Sequence, residues 1–190
     1  MSLSRTWHGR AFLGSSLDGY IAGPGGDLSF LEASHGEGQH RATPQTVPAF
    51  EWETFFPSID TIVMGRVTYE TVTSFDEWPY GDTRVVVLSS TLPLDLPRVH
   101  VVRSLPEAVE LLNREGAREV YVDGGVTVQV FLDQGLLDEL TISWVPVTVG
   151  GGSKLFCADS NASFIVRGSH VTPDGLVRVT YDVLNGKPSA

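Results

Sequence analysis

Short apolar segments alternate with helical patterns along most of this chain, and that alternation limits the possible folds more than any other feature. The strand-like segments cover residues 10–16, 61–64, 84–88, 99–102, 120–122 and 140–145. Two more, 164–168 and 176–183, follow each other without an intervening helix. The pattern predicts an α/β fold with a central, mostly parallel sheet, flanking helices and an antiparallel C-terminal edge.

Composition excludes several classes of function. With 190 residues, 42% of them hydrophobic, the chain is expected to form one domain over residues 1–190. Its net charge of −10 argues against nucleic acid as a partner. Cys157 is the only cysteine, so a disulfide within the chain and a multi-cysteine zinc site are excluded, and no metal is expected. Because no apolar segment approaches the length of a membrane span, we expect a cytoplasmic protein without a membrane partner.

A long polar stretch separates the first predicted strand from the first predicted helix. Residues 17–27 are dense in turn formers, and polar residues continue to about Pro48. Loops of this length inside a domain are uncommon and usually functional. Asp18, Tyr20 and Asp27 on this loop, with Trp52 on a short helix predicted over residues 49–56, are therefore candidates for binding a small-molecule substrate.

Glycines and small polar residues follow several of the predicted strands. Ligands of open α/β sheets bind at the carboxyl ends of strands, where glycine permits close approach and a helix N-terminus favours phosphate. Taken singly, each position is equally well explained as a turn, a helix cap or a surface arginine. The candidate positions are Gly65, Arg66, Thr68, Ser89, Ser90, Arg103, Gly124, Gly125 and Val126.

In combination, these positions resemble the dihydrofolate reductase superfamily. Gly-Arg-x-Thr from residue 65, Ser-Ser from 89, a basic residue before Ser-x-x-Glu-Ala, and Gly-Gly from 124 occur in that family's order. The resemblance implies a dihydrofolate-reductase-like fold with NADPH bound along Gly65, Arg66 and Thr68. It further implies that Arg66, Ser90 and Arg103 lie near the adenosine 2′-phosphate, and that residues 124–126 border the pyrophosphate and nicotinamide.

Two segments resemble the riboflavin-biosynthesis branch, the RibD C-terminal type of reductase domain. One is Ser-x-Asp-Gly at residues 16–19, and the other is the Gly-rich segment 146–156 that ends in Leu-Phe. The early acidic residue of dihydrofolate reductases has no counterpart in register near Ala49. The chain also departs from the riboflavin enzymes, because Tyr20 replaces the lysine that usually follows Asp-Gly there.

The resemblance implies an NADPH-dependent oxidoreductase that transfers hydride to a pyrimidine- or pterin-like substrate, as 5-amino-6-(5-phosphoribosylamino)uracil reductase does. Asp123 is the first candidate for the acid that protonates the substrate, ahead of Asp18 and Asp27; each is alternatively a turn or cap residue. Dihydrofolate reductase, another imine or carbonyl reductase, and a non-catalytic NADPH-binding module remain open. Like the riboflavin-type reductases, the chain is expected to form a homodimer through its apolar C-terminal third, including Val145, Phe164 and Ile165.

Overall fold

The computed structural model describes residues 4–32, 48–156 and 162–184. Its strands are β1 (His8–Ser16), β2 (Tyr20–Ala22), β3 (Thr61–Gly65), β4 (Arg84–Leu88), β5 (Val99–Val102), β6 (Glu119–Asp123), β7 (Glu139–Val145), β8 (Ser153–Lys154), β9 (Ser163–Val171) and β10 (Val177–Leu184). Its helices are α1 (Ser29–Glu32), α2 (Trp52–Phe55), α3 (Arg66–Val72), α4 (Leu105–Arg114) and α5 (Gly125–Asp133), with 3-10 turns at Pro24–Gly26 and Phe56–Ser58.

The main sheet has eight strands in the order β5-β4-β3-β6-β1-β7-β10-β9. The first six strands of this order, from β5 through β7, run parallel to one another. Strand β10 is antiparallel to β7, and β9 is antiparallel to β10. A separate two-stranded antiparallel ribbon consists of β2 and β8. The predicted α/β class, with a mostly parallel sheet and an antiparallel C-terminal edge, is therefore confirmed.

Helices cover the two faces of the sheet through two apolar clusters. Helices α4 and α5 pack on one face, and α2 and α3 contribute Phe55 and Val72 to the cluster on the other. Ile62 and Val63 are neighbours on β3, yet they belong to different clusters. This follows from the alternation of side chains along a strand, which makes each central strand apolar on both sides.

The helix predicted over residues 49–56 begins later, at Trp52. The N–H of Ala49 donates to Nδ1 of His170 at 3.1 Å, and the N–H of Phe50 donates to Oγ1 of Thr180 at 3.0 Å. These bonds hold the residues before α2 against β9 and β10, and Glu51, directly before the helix, has an extended backbone with φ −89° and ψ 152°. Long-range partners, which a local pattern cannot reveal, decided this boundary.

The predicted loop after β1 contains regular structure in its described part. Strand β2 pairs with β8, and α1 lies close to β1, so that a Cβ added at Gly14 would come within 2.4 Å of Cδ2 of Leu31. Residues 33–47, the remainder of the predicted loop, lie outside the described residues. The first part of this segment is thus fixed beside the carboxyl end of β1.

One face of the β9–β10 pair carries exposed apolar side chains. Val166, Val171 and Val177 are 59%, 43% and 46% exposed, and the pairing of Val171 with Val177 places these two on the same face. Phe164 lies on this face but packs against Tyr181. Val145, which the sequence suggests for a subunit interface, is buried in the core, so that part of the interface prediction is wrong.

Candidate active site

A cavity of about 660 Å³ opens at the carboxyl ends of β1, β3 and β6. Its volume lies within the range of small-molecule and cofactor sites. Helices α3 and α5 form its sides, and the β2–β8 ribbon and α1 also contribute lining residues. Residues that line it include Phe12, Gly65, Thr68, Tyr121, Asp123 and Gly124.

The register of the parallel strands brings several predicted residues to the same edge of the sheet. Met64 pairs with Asp123, Gly65 with Leu88, and Leu88 with Val102. The residues that follow these strand ends are Arg66, Ser89, Arg103 and Gly124. The sequence prediction that these positions are neighbours follows directly from the parallel pairing.

Close approach to the backbone explains both glycines at the start of α5. Gly124 has a φ of +86°, and a Cβ added to it would lie 2.1 Å from Oγ1 of Thr68. A Cβ added to Gly125 would lie 2.0 Å from Cδ1 of Ile21. Helix α3 and strand β2 therefore both abut the first turn of α5. Only residues without a side chain fit there.

The first turn of α5 faces the cavity. Gly125, Val126 and Thr127 line it, and Val126 is 76% exposed. In any α-helix the first N–H groups lack partners within the helix, and the N-terminus carries partial positive charge. This part of the cavity therefore favours an anionic group such as a pyrophosphate.

The residues predicted near a 2′-phosphate make local contacts. Arg66 lines the cavity, and its guanidinium contacts both carboxylate oxygens of Glu70 at 2.9 and 2.8 Å. Arg103 donates to the carbonyl oxygen of Ser89 at 2.8 Å, which joins the ends of β4 and β5. The buried hydroxyl of Ser89 accepts two backbone N–H groups of the following turn, whereas Ser90 is exposed. Ser89, Ser90 and Arg103 lie at the adjoining strand ends but are not among the residues that line the cavity.

Asp123 lies at the floor of the cavity, at the end of β6. Its Oδ2 accepts a hydrogen bond from the Tyr80 hydroxyl at 2.9 Å, and its Oδ1 accepts the N–H of Gly124 at 2.8 Å. Burial raises the pKa of the Asp123 carboxyl above its usual value, although hydrogen bonds from Tyr80, Tyr121 and the Gly124 N–H act in the opposite direction. A carboxyl in this environment retains its proton to higher pH than an ordinary aspartic acid. That property suits a proton donor.

Sequence reasoning missed both tyrosines. Tyr121 precedes Asp123 by two residues on β6 and therefore shares its face, a signal that was available locally. Its hydroxyl donates to the carbonyl oxygen of Phe12 at 3.2 Å. Tyr80 is 43 residues distant from Asp123 and follows no strand or helix pattern, so no local signal marks it.

Asp18 and Asp27 serve as loop anchors in the structure. Hydrogen bonds from the Ser16 hydroxyl and the N–H groups of Val149 and Gly150 lower the pKa of Asp18 to about 2. This carboxylate ties the turn after β1 to the segment before β8. Asp27 accepts the N–H and hydroxyl of Ser29 at the start of α1, and these bonds lower its pKa. Neither aspartate belongs to the lining of the cavity.

Tyr20 and Trp52 lie on different sides of the candidate site. The Tyr20 ring contacts Lys154 across the β2–β8 ribbon, with the ammonium 5.4 Å from the ring centroid. Trp52 is 37% exposed. It stacks on Phe56 and makes edge contacts with Phe12 and Tyr121, both of which line the cavity. Trp52 thus stands behind the aromatic wall nearest Asp123, while Tyr20 belongs to the ribbon beside α5.

Within the three described ranges, no cluster of three or more His, Cys, Asp or Glu side chains is arranged to hold a metal ion. In the same ranges, no helix is long and apolar enough to cross a membrane.

Comparisons with known proteins agree with this architecture. Residues 8–177 match the RibD C-terminal domain family. The chain is 28% identical over 150 residues to the uncharacterized protein YwjB of Bacillus subtilis (strain 168), covering 76% of this chain and 80% of that protein. A putative riboflavin biosynthesis protein from Shewanella sp. PV-4 superposes with a TM-score of 0.78 at 36% identity, covering 93% of this chain and 99% of that one.

A more distant structure bears on the fold alone. Dihydrofolate reductase from Enterococcus faecalis, complexed with NADP(H) and RAB-propyl, superposes with a TM-score of 0.61 at 17% identity, covering 94% of this chain and 96% of that one. Its similarity matches the dihydrofolate-reductase-like order of strands and helices described above. The chain therefore belongs to the RibD C-terminal domain family, a family of riboflavin-type reductases, and has the dihydrofolate-reductase-like fold.

Proposed function

We propose that this protein is an NADPH-dependent reductase that reduces a C=N or C=O bond of a planar, pyrimidine- or pterin-like heterocycle. The observation that carries the proposal is the Asp123 carboxyl, which lines a cavity of cofactor size, accepts hydrogen bonds from Tyr80 and the Gly124 N–H, and has a pKa that burial raises. A reduction of this kind adds a hydride to carbon and a proton to nitrogen or oxygen. Asp123 is the group suited to deliver that proton.

The residues of the cavity fit NADPH. Gly124 and Gly125 let Thr68 and Ile21 pack closely against the β6–α5 turn, and the first turn of α5, which lines the cavity, favours the pyrophosphate of the cofactor. Arg66 lines the cavity at the start of α3, where it would bind an adenosine 2′-phosphate. Arg103 and Ser90 adjoin this end of the sheet. When bound, the nicotinamide supplies the hydride.

The protein's own contribution is to orient the substrate, exclude water and supply the proton. Phe12 and Tyr121 form an apolar wall beside Asp123, backed by Trp52. Such a wall favours a flat aromatic ring, which stacks or makes edge contacts with these side chains. Asp123 then transfers its proton to the substrate atom next to the reduced carbon. The carboxylate that remains is stabilised by the hydrogen bonds from Tyr80 and from the N–H of Gly124.

Cofactor titration tests the NADPH assignment. We expect wild-type protein to bind NADPH more tightly than NADH, and Arg66→Ala to weaken NADPH binding by about ten- to a hundredfold, the cost of one charge-assisted contact. NADH affinity should change little. Equal affinity of the wild-type protein for both cofactors would exclude the 2′-phosphate site.

Glu70→Gln is the matched variant for Arg66. Glu70 contacts Nη1 of the guanidinium in an exposed ion pair, so it competes with a bound phosphate for this nitrogen. Removing this competitor should raise NADPH affinity by about twofold, since an exposed i,i+4 pair contributes only a few tenths of a kcal/mol. A loss of NADPH affinity in Glu70→Gln would show that the ion pair aids binding.

A substrate screen separates the competing functions. NADPH oxidation should be followed with ribosylaminopyrimidines, pterins including dihydrofolate, and simple imines and carbonyl compounds. Turnover of a pyrimidine or pterin supports the proposal, and turnover of dihydrofolate alone identifies a folate reductase. Tight NADPH binding without oxidation by any of these compounds would favour a non-catalytic binding module.

A further inference from the structure

Tyr80 has no role in the sequence motifs, yet it makes a side-chain contact with the proposed acid. We propose that Tyr80 is a positioning residue, which fixes the Asp123 carboxyl through the 2.9 Å bond from its hydroxyl to Oδ2 and stabilises the carboxylate formed when the proton reaches the substrate. This inference rests on the proposed function of Asp123 as proton donor.

The position of the hydroxyl is rigidly determined. Tyr80 is 7% exposed, and its ring packs at 5.4 Å against the edge of Trp78 and at 6.1 Å against Phe56. A buried phenol held on two sides has little freedom to move away from Asp123. The hydroxyl is therefore already oriented toward the place where negative charge develops, which is the condition for effective electrostatic stabilisation.

The two tyrosines beside Asp123 differ in what their hydroxyl protons contact. The Tyr121 hydroxyl donates to the carbonyl oxygen of Phe12 at 3.2 Å and also interacts with the Asp123 carboxyl, whereas the Tyr80 hydroxyl donates to Oδ2 of that carboxyl at 2.9 Å. Burial and the neighbouring Asp123 raise the pKa of both phenols well above their usual value, so both keep their protons. Tyr80 thus remains a hydrogen-bond donor over the whole working pH range.

Few other charges act on Asp123 from the surrounding elements. The N–H of Gly124 on the β6–α5 turn is the second donor to the carboxyl. Among the described residues that line the cavity, the remaining charged side chains are Arg66 of α3 and Lys154 of β8. Arg66 is paired with Glu70, and Lys154 lies over the Tyr20 ring. Tyr80 and Tyr121 are therefore the side chains that act most directly on the Asp123 carboxyl, and Tyr80 is the one that donates to Oδ2 at 2.9 Å.

The first test needs no substrate. The Asp123 carboxyl should be titrated by ¹³C NMR in ligand-free wild type and in Tyr80→Phe, with Tyr181→Phe as the matched control. Tyr181 is half-buried and packs on Phe164, on strand β10, which lies three strands away from β6 in the sheet. Loss of the Tyr80 hydrogen bond removes a contact that favours the carboxylate, so the titration midpoint should rise in Tyr80→Phe only. An unchanged midpoint would overturn the inference.

The second test is a double-mutant cycle in single-turnover hydride transfer. Tyr80→Phe should slow the wild-type enzyme about tenfold, the scale of one hydrogen bond to a charged group. The rate should fall at high pH where Asp123 loses its proton. Because Tyr80→Phe raises the pKa of Asp123, it should move this falling limb of the rate–pH profile to higher pH. In an Asp123→Asn background the same change should cost less than about twofold, since the interaction partner is already gone. Equal losses in both backgrounds would identify a purely structural residue.

The two tests separate this inference from the proposed function. If no substrate is reduced by the wild type, the proposed function fails, while the ¹³C titration still decides whether Tyr80 controls Asp123. If the wild type reduces a substrate and Tyr80→Phe changes neither the midpoint nor the rate, the inference alone fails. Thermal unfolding of each variant confirms that the fold is retained.

Discussion

Replacing Asp123 with asparagine should lower activity and remove one cause of the loss of stability toward alkaline pH. The change keeps the size of the side chain but removes the ability to hold and release a proton. We expect the single-turnover hydride-transfer rate to fall about a hundredfold or more, the usual scale for a lost acid–base group. That corresponds to about 2.7 kcal/mol in the activation barrier. NADPH affinity should stay nearly constant, because the carboxyl is not a phosphate ligand.

The effect on stability follows from the direction of the pKa shift. The folded-state pKa of Asp123 is raised by burial, so the folded protein holds the proton more tightly than the unfolded chain. Its contribution is fully present below the unfolded pKa and is lost as pH rises through the folded pKa. The loss amounts to about 1.4 kcal/mol for each pH unit between the two values. Asparagine does not ionise, so its variant escapes this loss.

The hydrogen bonds set the opposing cost. Asp123 accepts from Tyr80 at one oxygen and from the Gly124 N–H at the other, whereas asparagine offers only one oxygen. One of these bonds must therefore reverse or be lost, at about 1 kcal/mol. Below the unfolded pKa of about 3.9 the variant should be slightly less stable than the wild type, and this difference should shrink or change sign as pH rises through the folded-state pKa.

Urea denaturation at several pH values from about 3 to 9 measures stability, and single-turnover kinetics and cofactor titration measure the hydride-transfer rate and NADPH affinity. Hydride transfer at the wild-type rate would refute the role of Asp123 as proton donor and leave it as a turn residue. A stability difference that does not vary with pH would refute the raised pKa.

Three further predictions concern other parts of the molecule. Gly124→Ala should lose more stability and NADPH affinity than Gly116→Ala in matched denaturation and titration experiments. Both glycines have positive φ, but only at position 124 would an added Cβ meet Thr68. Equal losses in the two variants would exclude this steric explanation. Asp18→Asn should be less stable than wild type at neutral pH. This difference should vanish as pH falls from about 4 toward 2, because the lowered pKa of Asp18 stabilises the folded protein only above that window. A stability difference that stays constant in acid denaturation curves would contradict this prediction. We also propose a homodimer that covers the apolar face of β9 and β10. Light scattering should give about twice 20.6 kDa for the wild type and the monomer mass for Val166→Glu. A monomeric wild type would reject the dimer.

Local patterns were sufficient for the secondary structure of the sheet. Strand alternation and apolar runs predicted strands β3 to β7 to within about two residues, and Pro106 and the apolar face of α4 marked that helix. The two glycines after β6 were also recognisable from the sequence. A positive φ or a close backbone approach restricts the residue type at a single position, so it leaves a trace in the sequence.

The roles of the aspartates required the tertiary structure. Asp18, Asp27 and Asp123 all follow strands or turns, and nothing local distinguishes a loop anchor from a proton donor. The difference lies in their surroundings. Asp18 accepts N–H groups from a segment about 130 residues later, which lowers its pKa. Asp123 is buried, which raises its pKa although hydrogen bonds from Tyr80 and Tyr121 act in the opposite direction.

The sequence by itself therefore determined the α/β class, the order of the main-sheet strands along the chain and the edge of the sheet where the cavity opens, because these depend on periodicity and on single-residue conformational limits. Only the tertiary structure decided which carboxyl is enclosed, which tyrosine supports it and where α2 begins. Those properties depend on contacts between residues far apart in the chain, such as Tyr80 with Asp123 and Ala49 with His170. Burial and hydrogen bonding at such contacts set the pKa, and the residue type alone does not.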